Sequence, residues 1–341
     1  MEDGSSSIME PASDDSLEAE DLEFGATSDY DPTADADSFC SVSTSIYKHH
    51  YEHGRRYHMF KDGKYPIPND DDEGTREGLK HAMLKELLPN GELYLAPIGD
   101  HPQRIIDLGT GFGEWAMDIA DLFPSAEVIG VDLSPVQPTY VPPNLRYIVD
   151  DIEEESWGYG ANFDLAHLRF MSPLLKDVLG VAANVFRNLK PGGWIEFQEI
   201  CPRLTSDDNS IPPDYPVTKF YDIVNRVFLD RYGFDLFLIE RMKSELQNLG
   251  FINVQQRVFQ LPVGAWPKDK RLRLIGLYMR EAIVSLLPSM GAKPFAEYGI
   301  PRDEARHLFA DVKKAIANPR IHARVQFYYV YGQKPVAQLA G

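Results

Sequence analysis

The chain has 341 residues, with 34 Lys and Arg against 52 Asp and Glu, for a net charge of −18. That length suits one large domain with additions, or two small ones, and is ample for a buried core. Two cysteines, Cys40 and Cys201, exclude a disulfide framework and a Cys-rich metal site, and fit a reducing intracellular compartment, cytoplasmic or nuclear.

The charge is unevenly spread. Residues 1–45 hold 13 acids and no Lys or Arg, so −13 of the net charge sits there. Rich in Ser and Asp and poor in apolar side chains, this stretch cannot bury enough surface to fold alone. It reads as a disordered acidic tail, either a solubilising segment or a docking segment for a regulatory protein. It lacks the basic start and apolar run of a secretory leader and the arginines of a transit segment. The remainder is mildly acidic without a basic stripe, which disfavours nucleic acid as a direct partner. No apolar run approaches the ~20 residues of a membrane span. Residues 272–287 come nearest and are broken by Arg273, Arg280 and Glu281.

Order is expected from about Ile46. The run His53–His58 is dense in polar groups, Tyr65–Asp70 reads as a turn, and Thr75–Leu88 reads as a helix, apolar at Leu79, Met83, Leu84, Leu87 and Leu88. A helical segment in this place can close over a cofactor. Arg55, Arg56 or Tyr57 then either reaches a cofactor carboxylate or anchors the segment to the core.

The next stretch organises the chain. Arg104–Leu108 is a short apolar run carrying Asp107 near its end. Gly109, Thr110, Gly111 and Gly113 follow as a turn, and Trp115–Leu122 continues as an amphipathic helix. Glu127–Asp132 is a second apolar run ending in an acid. This β-α-β unit suits a nucleoside cofactor, with Asp132 accepting from ribose hydroxyls. The glycines run Gly-x-Gly-x-Gly, and Glu114 stands where a dinucleotide fingerprint has its third glycine. Asp107 and Glu114 flank the turn and would repel a pyrophosphate, which prefers a bare helix N-terminus. S-adenosylmethionine suits it better: an ammonium for Asp107, a carboxylate for the turn amides and a ribose for Asp132.

Farther on, Leu145–Asp151 is a third strand, with Asp151 placed to accept from an adenine amino group and Ile152 to lie against the ring. Phe163–Leu168 is a fourth strand, residues 174–189 a helix, Lys190–Gly193 a turn, and Trp194–Glu199 a fifth strand. Strand ends therefore carry Asp107, Asp132, Asp151, His167 and Glu199, the ligand edge of an open α/β sheet.

Several stretches together resemble a known family. They are Gly54-Arg55-Arg56-Tyr57-His58, Tyr65-Pro66-Ile67-Pro68-Asn69-Asp70, Leu93-Tyr94-Leu95-Ala96-Pro97-Ile98, Ile106-Asp107-Leu108-Gly109-Thr110-Gly111, Val128 through Pro135, Val141-Pro142-Pro143-Asn144 and Leu189-Lys190-Pro191-Gly192-Gly193. Over residues 50–335 the chain is similar to fungal class I S-adenosylmethionine-dependent methyltransferases of the LaeA-like group, also called UMTA-type or TAM-domain. The resemblance implies an α/β, Rossmann-like, seven-stranded sheet, mostly parallel with an antiparallel last strand, and helical insertions roofing the active site. It implies that Asp107, Gly109, Thr110, Gly111 and Gly113 hold the methionine moiety, Asp132 with Leu133 the ribose, and Asp151 with Ile152 the adenine. Phe112 and Glu114 depart from the family's usual Thr and Ile. The family fold makes residues 249–254 the start of the sixth strand and Val325–Tyr331 the last. Between the fifth and last strands, residues 216–248 and 268–318 read as helices that roof a substrate cavity or simply fill the core.

The expected division is a disordered acidic tail at 1–45, a methyltransferase domain at 46–335 and a C-terminal tail at 336–341. Within the domain, 46–100 is a helical cap, 101–200 the cofactor-binding core, and 201–335 the roof helices and last strands. Methyl transfer needs a base only where the acceptor must lose a proton. His167 and Glu199 are the candidates, and no metal-ligand spacing occurs. Three functions fit: methylation of a secondary-metabolite-like small molecule on O, N or S; a LaeA-like nuclear regulator acting on a protein or in a complex; and a non-catalytic cofactor-binding scaffold.

Overall fold

The computed structural model describes residues 49–61 and 63–336. The acidic tail at 1–45 with Cys40, the onset of order at Ile46, and all but Val336 of the C-terminal tail lie outside those residues.

The polar run near residue 55 is a hairpin. Strand β1 (His49–Glu52) pairs antiparallel with β2 (Arg55–His58). The two-residue loop between them has His53 and Gly54 both at positive φ, the backbone that matches strand twist in a tight hairpin. Helix α1 (Asp71–Leu87) begins one turn earlier than the apolar spacing predicts. Asp70 caps it, accepting from the Glu73 N–H at 3.2 Å, and Asp71, Asp72 and Glu73 suit the positive end of its dipole.

The core follows the expected alternation. It runs β3 (Arg104–Leu108), α2 (Glu114–Leu122), β4 (Glu127–Asp132), β5 (Leu145–Val149), β6 (Phe163–Arg169), α3 (Val178–Asn188) and β7 (Leu189–Thr205). Helix α3 starts later than expected because Pro173 belongs to a separate short turn, and Asp177 caps the helix by accepting from Gly180 N–H at 2.8 Å. Lys190–Gly193 is an irregular opening of β7 rather than a turn before it. Gly192 N–H donates to Lys334 and Lys334 N–H donates back to Gly193, so the segment is already paired across the sheet.

The remaining elements are α4 (Pro216–Val227), which runs on into a wider helical turn at Phe228–Tyr232, then α5 (Met242–Asn248), β8 (Ile252–Pro262), α6 (Lys270–Ala292), α7 (Pro294–Tyr298), α8 (Arg302–Ile316) and β9 (Arg324–Gln333). The seven-stranded sheet has the order β5-β4-β3-β6-β7-β9-β8. The first five strands are parallel, and β9 lies antiparallel between β7 and β8. This is the mixed sheet expected of a class I methyltransferase fold. Strand β3 pairs with β4 on one side and β6 on the other, so the chain reverses direction across the sheet there. That switch point opens a crevice at the carboxyl ends of the strands.

Three apolar clusters hold the fold. On one face α2 buries Trp115, Ala116, Ile119 and Ala120 against Ile105, Val128 and Leu165. On the other, α3 buries Val178, Val181, Ala182 and Val185 against Ile106, Ile129, Ile195 and Val330. The third joins α4, α6 and α8 through Phe220, Val224, Met279, Ile283, Leu287 and Val312. It sits above the strand ends. Among the described residues no helix is long and apolar enough to cross a membrane.

Candidate active site

One cavity of about 250 Å³ lies over the carboxyl ends of the strands. Its floor is the β3–α2 turn (Gly109, Gly111, Phe112), the end of β4 (Asp132, Leu133, Ser134), the end of β6 (Arg169, Phe170, Met171) and the adjoining part of β7 (Glu199, Ile200). Helix α1 forms one side. Tyr221 and Val224 of α4, with Met279, Ile283 and Leu286 of α6, close it from above.

The turn is fixed from below. Gly109 and Thr110 N–H both donate to the Val131 carbonyl, and Thr110 Oγ1 donates to Asp107 Oδ2 at 2.6 Å. Gly109 has φ +80° and a Cβ there would collide with Met171, so only glycine suits the position. Gly111 N–H donates to Asp132 Oδ2 at 2.8 Å, and Ser134 N–H to Oδ1 at 2.9 Å. Burial outweighs these two bonds and pushes the Asp132 carboxyl up to about 6. Gly113 caps α2, its carbonyl accepting from Tyr147 Oη at 3.2 Å.

The other expected site residues divide. Ile152, Leu133 and Glu199 stand on the cavity wall. Asp107 lines a small polar recess beside it, together with Thr110, Glu114 and Arg169. His167 is fully buried: its Nδ1 lies 2.8 Å from Asp107 Oδ1, and its ring stacks on Trp115. It is not on the cavity wall, and burial lowers its pKa. Asp151 is engaged elsewhere. Its carboxylate pairs with Lys64 and accepts from Glu153 N–H at 3.0 Å, and Asp150, Lys64 and Glu153 line the cavity while Asp151 does not.

Arg55 and Tyr57 also miss the cavity. Arg55 binds Asp70 at 2.5 Å and donates to Ser289 Oγ of α6 at 3.2 Å, clamping the hairpin to the cap and the roof. Tyr57 is 1% exposed beneath Lys293, whose Nζ is 5.1 Å from the ring centroid. From the same region Tyr65, Pro68 and Asn69 face the cavity instead.

Reading the sequence alone passes over the charged side of α1. Glu73, Arg76, Glu77 and Lys80 all line the cavity, along with Arg169. Arg76 binds Glu73 and Glu77, and Lys80 Nζ reaches Glu77 at 2.7 Å while lying 3.7 Å from the Phe170 ring centroid. Burial pushes Lys80 down to about 8. Arg169 Nη1 donates to His81 Nδ1 at 3.1 Å, so His81 Nε2 carries the hydrogen toward Asp118 Oδ2 at 3.0 Å. Burial and the Arg169 charge hold this imidazole neutral, near 4. The available signal was the alternation Glu73-x-x-Arg76-Glu77-x-x-Lys80, a pattern that ordinarily marks a solvated helix face.

Residues 79–261, more than half the chain, match a family described as methyltransferase domain. The chain belongs to this family. Methyltransferase pytC of Aspergillus terreus is 35% identical over 308 residues, covering 89% of this chain and 94% of that protein. The secondary metabolism regulator LAE1 of Cochliobolus heterostrophus is 32% identical over 295 residues, covering 83% of this chain and 94% of that protein. The protein-methionine methyltransferase laeA of Emericella nidulans is 29% identical over 291 residues, covering 84% and 77%.

The protein is thus an S-adenosylmethionine-dependent methyltransferase with fungal relatives in secondary metabolism. Within this methyltransferase the cavity lies between the switch-point floor and the apolar roof. The floor presents acids and backbone amides, and the roof presents Val224, Phe228, Met279, Ile283 and Leu286.

Proposed function

We propose that this methyltransferase acts on a small, secondary-metabolite-like molecule, at an O, N or S atom held under the α4–α6 roof. The carrying observation is the cavity itself: Asp132 and the glycine turn share it with the apolar wall of α4 and α6.

The residues present fit S-adenosylmethionine. Each Asp132 oxygen is committed to one backbone N–H and keeps capacity to accept from a ribose hydroxyl. A Cβ on Gly111 would meet nothing within 4 Å, so backbone is open to a ligand there. Asp107, Thr110 and Arg169 share the polar recess next to the turn, suited to an amino-acid moiety. Asp150 with Ile152, in place of Asp151, forms the wall for adenine. When bound, S-adenosylmethionine supplies an electrophilic methyl group on a cationic sulfur.

The chain's own contribution is placement and exclusion of water. Holding a nucleophile about 3 Å from its target supplies most of the acceleration in such a displacement. Among the two base candidates only Glu199 has access to the cavity; His167 is assigned to supporting Asp107. The domain division is proposed as cap (46–100), cofactor core (101–200) and roof with last strands (201–335), between tails at 1–45 and 336–341.

A second reading rests on the relatives named as regulators and on the one named as a protein-methionine methyltransferase. There the acceptor is a protein and the acidic first 45 residues dock a partner. Incubating the purified full chain with methyl-labelled cofactor and a host extract separates the two. Label in the low-mass fraction supports the small-molecule acceptor; label confined to protein overturns it.

A further inference from the structure

Glu199 lies within β7, one residue past Gln198, which pairs with Arg169 at the end of β6. It is two places along the sheet from β3 and on the side away from Asp132. That puts it on the acceptor side of the cavity. It is 3% exposed. Its Oε2 accepts from Ser172 N–H at 3.2 Å and Ser172 Oγ at 3.0 Å, and Oε1 accepts from Ile200 N–H at 3.0 Å. Three donors therefore aim this carboxylate, and Oε1, with one bond, retains capacity for one more hydrogen. The same cavity is lined by the apolar Leu174, Ile200, Val224, Phe228, Met279 and Leu286. Its charged side chains on α1, Glu73, Arg76, Glu77 and Lys80, are already paired with one another. A charged acceptor, or the amides of a peptide, would find few replacement partners there.

We propose that Glu199 is the catalytic proton acceptor, and that the substrate is an uncharged, largely apolar molecule whose reactive group is a phenolic or enolic O–H. The acceptor O–H bond breaks, the proton passes to a Glu199 oxygen, and the electron pair stays on the acceptor oxygen, which uses it to take the methyl group. The proton leaves to solvent after the product does. Ser172 is a positioning residue, acting through the carboxylate it holds.

Burial pushes Glu199 up to about 8, against the opposing pull of its bonds to Ser172 and Ile200 and of the Lys80 charge. It is therefore a stronger base than a surface glutamate, and nearer the acidity of a phenol. Lys80, on α1, is itself paired with Glu77.

The proposal deepens the small-molecule reading and rests on it, so the test separates the two. Binding of 2-naphthol and of 2-methoxynaphthalene to the cofactor-free full chain is followed by fluorescence between pH 6 and 8.5, and calorimetry with S-adenosylhomocysteine runs in parallel. The hydroxyl probe donates to ionised Glu199, so its affinity should rise about tenfold or more across that range. The methoxy probe should show no rise. Glu199→Gln should flatten the naphthol profile while retaining S-adenosylhomocysteine, and Ser172→Ala should move its midpoint to higher pH.

Naphthol binding independent of pH in the native chain, an unchanged profile in Glu199→Gln, or no binding of either naphthalene overturns the proposal and leaves the methyltransferase reading intact where S-adenosylhomocysteine still binds. Failure to bind S-adenosylhomocysteine brings both down.

Discussion

Trp115 lies flat on His167: the ring centroids are 3.5 Å apart and the planes 8° from parallel. The indole comes from the first turn of α2 and the imidazole from the end of β6, so the stack ties the helix after the glycine turn to the strand beneath it. Through Asp107, His167 also steadies Thr110 within the turn. His167→Ala removes a packed ring and leaves a buried Asp107 oxygen short of a partner. Its cost should be about 2–4 kcal/mol of stability. The denaturation midpoint should fall, while S-adenosylmethionine affinity measured below that midpoint changes little. A lost turnover with normal stability would instead place His167 in the chemistry.

Asp132→Ala should weaken S-adenosylmethionine binding by roughly 1–3 kcal/mol, the cost of leaving ribose hydroxyls without an acceptor. The native chain should mirror that loss with pH. Because burial raises this carboxyl to about 6, its acceptor form is present above that pH and is lost as pH falls through it. Calorimetry at pH 7.5 and pH 5 should give weaker binding at the lower value, with the difference abolished in Asp132→Ala.

Glu199→Gln carries a stability signature of opposite sense to a salt-bridged acid. A carboxyl raised by burial binds its proton more tightly folded than unfolded, so its stabilising contribution is full below the unfolded value and fades as pH rises through about 8. The neutral amide has no such loss. Relative to the native chain, Glu199→Gln should gain stability steadily from pH 5 to pH 8.5, read as a rising difference in thermal midpoints. A constant difference would mean that Glu199 ionises as a surface acid does.

Ile283→Trp, on the roof, should fill the acceptor side of the cavity and spare the cofactor side. Small-molecule turnover should fall at least about tenfold, with cofactor affinity within a factor of about two, because Ile283 belongs to α6 and Asp132 to the end of β4. Equal loss of both would place the acceptor elsewhere.

Lys80→Met removes one of the two cations paired with Glu77 and leaves Arg76 in place. Orphaning a buried charge costs about 3–5 kcal/mol, so with Arg76 retained the loss should fall below that range. The double variant Lys80→Met with Glu77→Gln should recover much of that loss in the denaturation midpoint.

Residues 104–132 were legible as they stand. An apolar run, glycines at alternate positions and a second apolar run ending in Asp132 define a β-α-β unit through short-range rules of period and turn chemistry, and the folded elements keep those bounds to within a residue at each end. The roof segments at 216–248 and 268–318 were legible as helices for the same reason, since their apolar spacing is local.

Which side chains face the cavity was a different matter, decided by tertiary structure. Asp150 and Asp151 are neighbours of one type, yet Asp150 lines the cavity while Asp151 is paired with Lys64, 87 residues away. The sequence leaves Arg55 either reaching a cofactor or anchoring its segment; Asp70 and Ser289, distant along the chain, take its guanidinium. The Glu73–Lys80 face looks solvated along the chain and is enclosed only because α6 packs over α1. Periodicity and turn chemistry act over a few residues and so reside in the sequence itself. Burial and hydrogen-bond competition depend on partners far along the chain, and no local pattern encodes where those partners come to rest.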